Sequence, residues 1–222
     1  MTLYFPLLDQ PLVFRENAFQ VLIIEDPVAL RKFLEELSSQ IAGCTGSIVV
    51  GEKNAPLEIS HAVALVTDPF HPNMESRKLS GRILQLAARA AEDHEGSLHM
   101  IMSEINALAA ELSMEMDFEA AFRTLEDPVE LLKLMDFHLD SDNLELPELL
   151  LEWMRLQRLF FGKQLFVMYG LKACLSEDEL MSFYRSVSYE KINLLLLEAF
   201  QRGDALPGEE LTIIDKDLCV IS

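Results

Sequence analysis

The sequence is short of the features that mark several protein classes. It holds three cysteines in 222 residues, Cys44, Cys174 and Cys219, far apart and odd in number. That excludes a disulfide framework and fits a reducing compartment. No run of about 18 apolar residues occurs, so a membrane-spanning helix is excluded. The opening MTLYFPLLDQ has neither the basic start nor the long apolar stretch of a secretory signal. A cytoplasmic protein with no membrane partner is therefore expected. Glycine and proline number nine each while half the residues are hydrophobic, which excludes wholesale disorder. The length suits one large domain or a small domain with an insertion.

Cations are scarce too. There are 18 Lys and Arg against 37 Asp and Glu, a formal charge of −19. Such a chain repels phosphate at long range unless its basic residues are segregated or cations intervene. The acids either form solvated faces or cluster in part around a divalent metal.

The usual catalytic motifs are also missing. No GxxxxGK[ST] or GxGxxG loop occurs, and the best-placed strand-to-helix turn, Ile24-Glu25-Asp26-Pro27-Val28, has no glycine and two carboxylates. No GxSxG elbow is present, and no cysteine lies near a histidine in sequence. The five histidines, at 61, 71, 94, 99 and 138, form no i, i+4 pair for a metal. His61 and His71 read as ordinary loop residues, and Cys174 and Cys219 as small buried side chains. No catalytic centre is nominated, and a non-enzyme is expected.

What is present reads as an interrupted α/β domain. Leu3–Leu8, Leu12–Phe14, Phe19–Ile24, Ser47–Val50 and Ala62–Thr67 are short apolar, strand-like runs. Asp26 as N-cap and Pro27 at the first turn open a helix whose apolar face carries Val28, Leu30, Phe33, Leu34, Leu37 and Ile41. From 73 to 161 only helical spacing is found: Leu79, Ile83, Leu86, Ala90; then Ile101, Ile105, Leu108, Leu112; then Leu125–Met135, opened by Asp127, Pro128 and Glu130; then Leu146–Phe160. Strand character returns at Gln164–Tyr169 and Ile192–Leu197, separated by a helix that Ser176-Glu177-Asp178-Glu179 opens. Leu211 to Ile221 reads as a terminal hairpin or two edge strands. The expected architecture is an α/β head, residues 1–72 and 162–222, around a mainly parallel central sheet, with an inserted α-helical leg at 73–161.

Two charge clusters stand out. Glu111, Glu115, Asp117, Glu119, Glu126 and Asp127 fall within 17 residues, where one leg helix ends and the next begins. Oxygen ligands alone suit a hard cation such as Ca²⁺. Glu115 and Asp117 converge only if the helix breaks near Met116. The competing reading is a capped helix beside a solvated face. Arg77, Lys78, Arg82 and Arg89 lie along the first leg helix, and Lys78, Arg82 and Arg89 share one face. One copy has too few cations to hold a duplex tightly, but a symmetric oligomer multiplies them around an axis.

In order and spacing, LLDQP at 7–11, VLIIED at 21–26, ALVTD at 64–68, NLLLLE at 193–198 and IIDKDLCVI at 213–221 resemble the CRISPR-associated type II-A accessory spacer-acquisition proteins. The resemblance runs from end to end of the chain. It implies a head similar to a nucleotide-binding fold whose phosphate loop has degenerated, plus an inserted helical leg. It further implies a homotetrameric ring that binds Ca²⁺ and threads double-stranded DNA by free ends, without catalysis, beside the CRISPR integrase and the RNA-guided nuclease complex. Carried onto this sequence, it implies calcium ligands among Glu115, Asp117, Glu126 and Asp127, with Glu119 behind them. Charge clustering nominates Lys53, Arg77, Lys78 and Arg82 as DNA-facing. The alternatives are a nucleotide-dependent enzyme with an atypical phosphate loop and an acidic protein-interaction scaffold without DNA binding.

Overall fold

A computed structural model describes residues 1–53, 55–72, 77–141 and 143–221. The chain folds as two compact units, residues 1–72 with 141–222, and residues 73–140. The first residue of the expected leg, Asn73, lies outside the described residues.

The first unit is built on a strand whose sequence has no polar interruption but Gln20. β3 (Phe19–Ile24) is buried along its whole length, as a strand covered on both faces must be. It runs parallel to β8 (Asn193–Glu198) on one side and to β9 (Glu209–Ile214) on the other. β7 (Leu165–Tyr169) and β6 (Val63–Val66) extend the parallel set, and β10 (Val220–Ile221) adds one antiparallel edge to β9. The order is β10-β9-β3-β8-β7-β6. The fold class is α/β, as the strand–helix alternation predicts.

The sequence does not announce the second sheet. β1 (Thr2–Tyr4), β2 (Leu12–Val13), β4 (Val49–Glu52) and β5 (Ala55–Leu57) form an antiparallel sheet in the order β2-β1-β4-β5. The expected strand Leu3–Leu8 stops at Tyr4 because Pro6 has no N–H for the ladder, yet Phe5 and Leu8 still reach the core. α1 (Pro27–Ile41) begins as its sequence dictates: the Asp26 carboxylate accepts from the Ala29 N–H at 2.7 Å, and Pro27 occupies the first turn. Its buried Leu30, Phe33 and Leu37 share one core with Leu3, Val50, Leu22, Ile24, Leu195 and Leu197, so α1 and the small sheet close one face of the large one. Each such side chain contributes about 1.5–3 kcal/mol by burial. The four-residue helix α2 (Ile59–Ala62) leads into β6.

The opposite face of the large sheet is covered by α6 (Leu146–Phe161) and α7 (Glu177–Tyr189). Trp153 of α6 meets Phe166 of β7 edge-on at 5.6 Å, and Tyr184 of α7 stacks on Phe19 of β3 at 4.0 Å. The expected leg boundary at Phe161 is corrected by this packing. Leu150, Trp153 and Met154 make one buried face of α6, which belongs to the sheet unit rather than to the helical insertion.

The second unit has no strand among its described residues. It consists of α3 (Arg77–Ala91), a short 3-10 turn, α4 (Glu95–Glu115) and α5 (Pro128–Leu134), with α3 and α4 each packing against α5. Asp127 caps α5 through the Val129 N–H at 2.8 Å. Between α4 and α5 the chain is irregular. The Asn106 side chain pins it by donating to the Leu125 carbonyl at 2.9 Å and accepting the Leu125 N–H at 2.8 Å. No helix among the described residues is long and apolar enough to cross a membrane.

Candidate nucleic-acid interface

The turn after β3 is where an α/β sheet offers helix N–H groups to a phosphate. Here Asp26 itself takes one of those donors, and its negative charge already complements the helix terminus. The missing phosphate loop is thus replaced by an internal carboxylate cap.

The basic residues fall in two places. Arg77, Lys78, Arg82 and Arg89 are all exposed on α3. At about 100° per residue, Lys78, Arg82 and Arg89 lie within one narrow sector, while Arg77 projects roughly 100° away from Lys78. Among the described residues only Arg82 of the four has a side-chain partner, Gln85 at 3.0 Å. Lys53 belongs to the other unit. It sits exposed after β4 with a positive φ of 50°, an uncommon conformation for a residue with a Cβ.

The acidic cluster is not drawn into one site. α4 does end at Glu115, and Met116 turns extended with ψ at 142°, which is the break that convergence requires. The chain then leads Asp117, Glu119, Glu126 and Asp127 through exposed, irregular positions. Asp127 is committed to the α5 cap. Among the described residues no three His, Cys, Asp or Glu side chains are grouped so as to hold a metal, against the six to eight oxygens that Ca²⁺ takes.

Other groups behave as structural parts. His71 pairs with Asp68 at 2.9 Å, and this contact holds the Asp68 carboxyl below its usual range. Burial pushes the Cys174 thiol up, with Glu198 adding to the effect, so it is no ready thiolate. Cys219 is exposed, contrary to the buried position expected, because it follows the surface turn at Asp215–Leu218. The densest polar cluster is internal. Glu209, with a fully buried side chain, accepts from Lys172 Nζ at 2.8 and 2.9 Å, from the Tyr184 hydroxyl at 2.7 Å and from the Leu206 N–H at 2.9 Å. Every lone-pair direction is used, as a buried carboxylate requires. Burial, ahead of the Glu209 bond, drives the Tyr184 hydroxyl far above its ordinary value. Sequence spacing gives no sign of this cluster, because its members come from three separate segments, at 172, 184 and 206–209.

The helical unit shows a further feature that spacing alone does not reveal. Ile101, Ile105, Leu108 and Leu112 sit at the spacing of a core-facing stripe, and all four are exposed. So are Met100, Met114, Phe118 and Phe122. The helical period is correct, but within the helical unit the described residues leave this face exposed.

A parallel α/β sheet unit without a phosphate loop, interrupted by a helical unit bearing one basic helix face, defines the class. The family model for CRISPR-associated protein (Cas_Csn2) matches residues 40–218, more than half of the chain, and the chain belongs to that family. It is CRISPR-associated. No curated protein matches it in sequence. Among solved structures it is similar to a "Putative ABC transporter (ATP-binding protein)" from Pyrococcus furiosus, 8% identical, with 91% of this chain and 88% of that chain covered at a TM-score of 0.37. A score that low bears on neither fold nor function.

Proposed function

We propose that the protein is a non-catalytic, sequence-independent binder of double-stranded DNA ends that acts in CRISPR spacer acquisition as a homotetrameric ring. Family membership over residues 40–218 carries this reading. Two surfaces support it. Exposed Lys53, Arg77, Lys78 and Arg82, with Arg89, supply phosphate contacts that position a duplex without reading its sequence. The uncovered apolar face of α4 supplies a reason to self-assemble. Assembly matters because a net charge of −19 opposes DNA unless symmetry brings the few cations together. The CRISPR integrase and the RNA-guided nuclease complex are the partners in this reading, in the cytoplasm.

Topology tests it. Linear duplex is expected to be retained better than covalently closed circles of equal length, with a binding constant that falls steeply with salt. Equal retention of the two forms would argue against threading. Calcium belongs to the reading as an expected stabiliser of the assembled protein. Its chelation should lower the melting temperature and duplex retention together, and unchanged melting would remove the ion.

A further inference from the structure

β9 leaves part of one strand edge open. It pairs with β3 along its whole length, but on its other side β10 reaches only Ile213 and Ile214. The Phe19 N–H donates to the Gly208 carbonyl and the Glu25 N–H to the Ile214 carbonyl, so even-numbered positions turn their peptide groups toward β3. Odd-numbered ones turn theirs outward. Of these, Ile213 is met by Ile221 of β10, and the Glu209 N–H is taken by the Leu206 carbonyl. Among the described residues the Leu211 N–H and C=O have no ladder partner.

That edge opens into a pocket of about 520 Å³ between β9 and the segment that ends in β2, a volume within the range of ligand sites. Gln20, 3% exposed, donates through Nε2 to the Val13 carbonyl at 2.9 Å and to Glu210 Oε2 at 2.6 Å. Both partners are acceptors, which fixes the amide and leaves Gln20 Oε1 without a partner among the described residues. The hydroxyl of Thr212, a residue 9% exposed, has none among them either. Glu210 Oε1 meets only Arg15, at 3.5 Å, well beyond a close ion pair. Asp9 is exposed on the rim with no side-chain partner among the described residues, and Pro11, Leu12 and Val220 supply apolar wall. Two carboxylates against one guanidinium, beside unused acceptors, call for a cation. An unpaired peptide group calls for another peptide group.

We propose that this groove binds an extended segment of a partner protein by strand addition, with a basic side chain of that segment in the pocket. The segment follows the antiparallel direction of β10 along β9, and its central residue exchanges two hydrogen bonds with Leu211. Residues opposite each other in a sheet point to the same side, so the two flanking the centre fall opposite Thr212 and Glu210 and send their side chains into the pocket. A lysine or arginine opposite Glu210 takes Oε1 from Arg15 and lies near Asp9. A hydroxyl opposite Thr212 meets the Thr212 hydroxyl. Backbone bonds supply the affinity, and the acidic pocket selects a basic strand. The site uses neither the basic face of α3 nor the apolar face of α4, so it stands apart from the DNA-binding and self-assembly reading above.

Fluorescence anisotropy on the full chain tests it with a labelled acetyl-Val-Thr-Val-Lys-Val-amide peptide. Saturable binding is expected, with slower hydrogen exchange at the Leu211 amide. N-methylation of the central valine removes a backbone donor, and exchanging the lysine for glutamate reverses the charge. Each should weaken binding by about tenfold or more. Glu210→Gln with Asp9→Asn keeps an acceptor for Gln20 and removes both carboxylates, and should weaken binding as much with unchanged circular dichroism. Arg15→Ala frees Glu210 and should tighten binding by about threefold. Absent saturable binding, equal binding of the N-methylated peptide, equal binding by the folded double variant, or weaker binding by Arg15→Ala would each overturn the proposal. Lysine amide binding as tightly as the peptide would overturn it too, by showing a cation site without strand addition. Should the double variant fail to fold, the peptide series on wild type decides alone. Retention of linear duplex by the folded double variant should equal that of wild type, so failure of the peptide site and failure of the DNA reading are told apart.

Discussion

The sheet unit and the helical unit spend their side chains in opposite ways. The sheet unit is closed enough to bury a charged cluster, with the Glu209 carboxylate fully inside and the Lys172 side chain only 9% exposed. In the helical unit, by contrast, only Leu79, Met102 and Leu132 are buried apolar side chains among the described residues, while a row of Ile, Leu, Met and Phe remains in water. The first unit is a finished core. The second is a set of correctly formed helices that leave apolar side chains exposed. Stability should therefore be set in the sheet unit.

The largest contrast comes from truncating one apolar side chain in each. Phe33 is fully buried and meets Phe5 edge-on at 5.0 Å, so Phe33→Ala should cost about 3–5 kcal/mol in chemical denaturation. Leu108 is 56% exposed, and Leu108→Ala should cost the dissociated chain under about 0.5 kcal/mol. Comparable losses at the two sites would abolish the distinction between units.

Glu209→Ala comes next. It strands the Lys172 ammonium and the Tyr184 hydroxyl inside the sheet unit, a loss of about 3 kcal/mol by the same measurement. A near-neutral outcome would mean that water reaches the cluster and that the core is less closed than its burial implies.

A smaller effect probes how the helical unit holds its irregular segment. Asn106→Ala removes both hydrogen bonds to the Leu125 peptide group, and about 1–2 kcal/mol should be lost. Hydrogen exchange should speed up at the Leu125 amide and leave β3 unchanged. Faster exchange in β3 would show that the two units unfold as one.

These contrasts follow what is legible in the chain. β3, α1 and the caps of α5 and α7 are readable because their signals are local: an unbroken apolar run, Asp26-Pro27, Asp127-Pro128 and the Ser176–Glu179 box. β5 is not, since Ala55-Pro56-Leu57 has no alternation and exists by pairing with β4. The placement of α6 depends on Trp153 meeting Phe166, a contact across 13 residues that no period encodes. On α4 the spacing yields helix and face correctly but not the fact that the face is uncovered. The acidic residues at 115–127 are recognisable as a helix junction and a cap. Which of them can share a ligand is set by the path of the exposed segment between α4 and α5, which no local period encodes.

The finest difference between the units is how they respond to acid, and Glu198 reports it. This residue ends β8 with 3% of its surface exposed, and its carboxylate accepts the Lys172 N–H at 2.9 Å. Burial pushes its carboxyl above the ordinary range, outweighing the lowering by that N–H, by Arg202 and by the Lys172 ammonium; Glu209 pushes the same way as burial. A folded-state value above the unfolded one means that the native state binds the proton more tightly. The stabilising contribution is thus fully present below the unfolded value and is lost as pH rises through the folded one. Glu198→Gln, which keeps the acceptor oxygen and removes the charge, should melt at a higher temperature than wild type near pH 7–8. The two should converge toward pH 4. On the helical unit Glu104, Glu111 and Glu115 are exposed, and Gln at those positions should leave the melting of the dissociated chain unchanged over the same range. A Glu198→Gln advantage that persists undiminished in acid would place its origin in packing rather than in charge, and the sheet unit would then carry no buried carboxylate at odds with its surroundings.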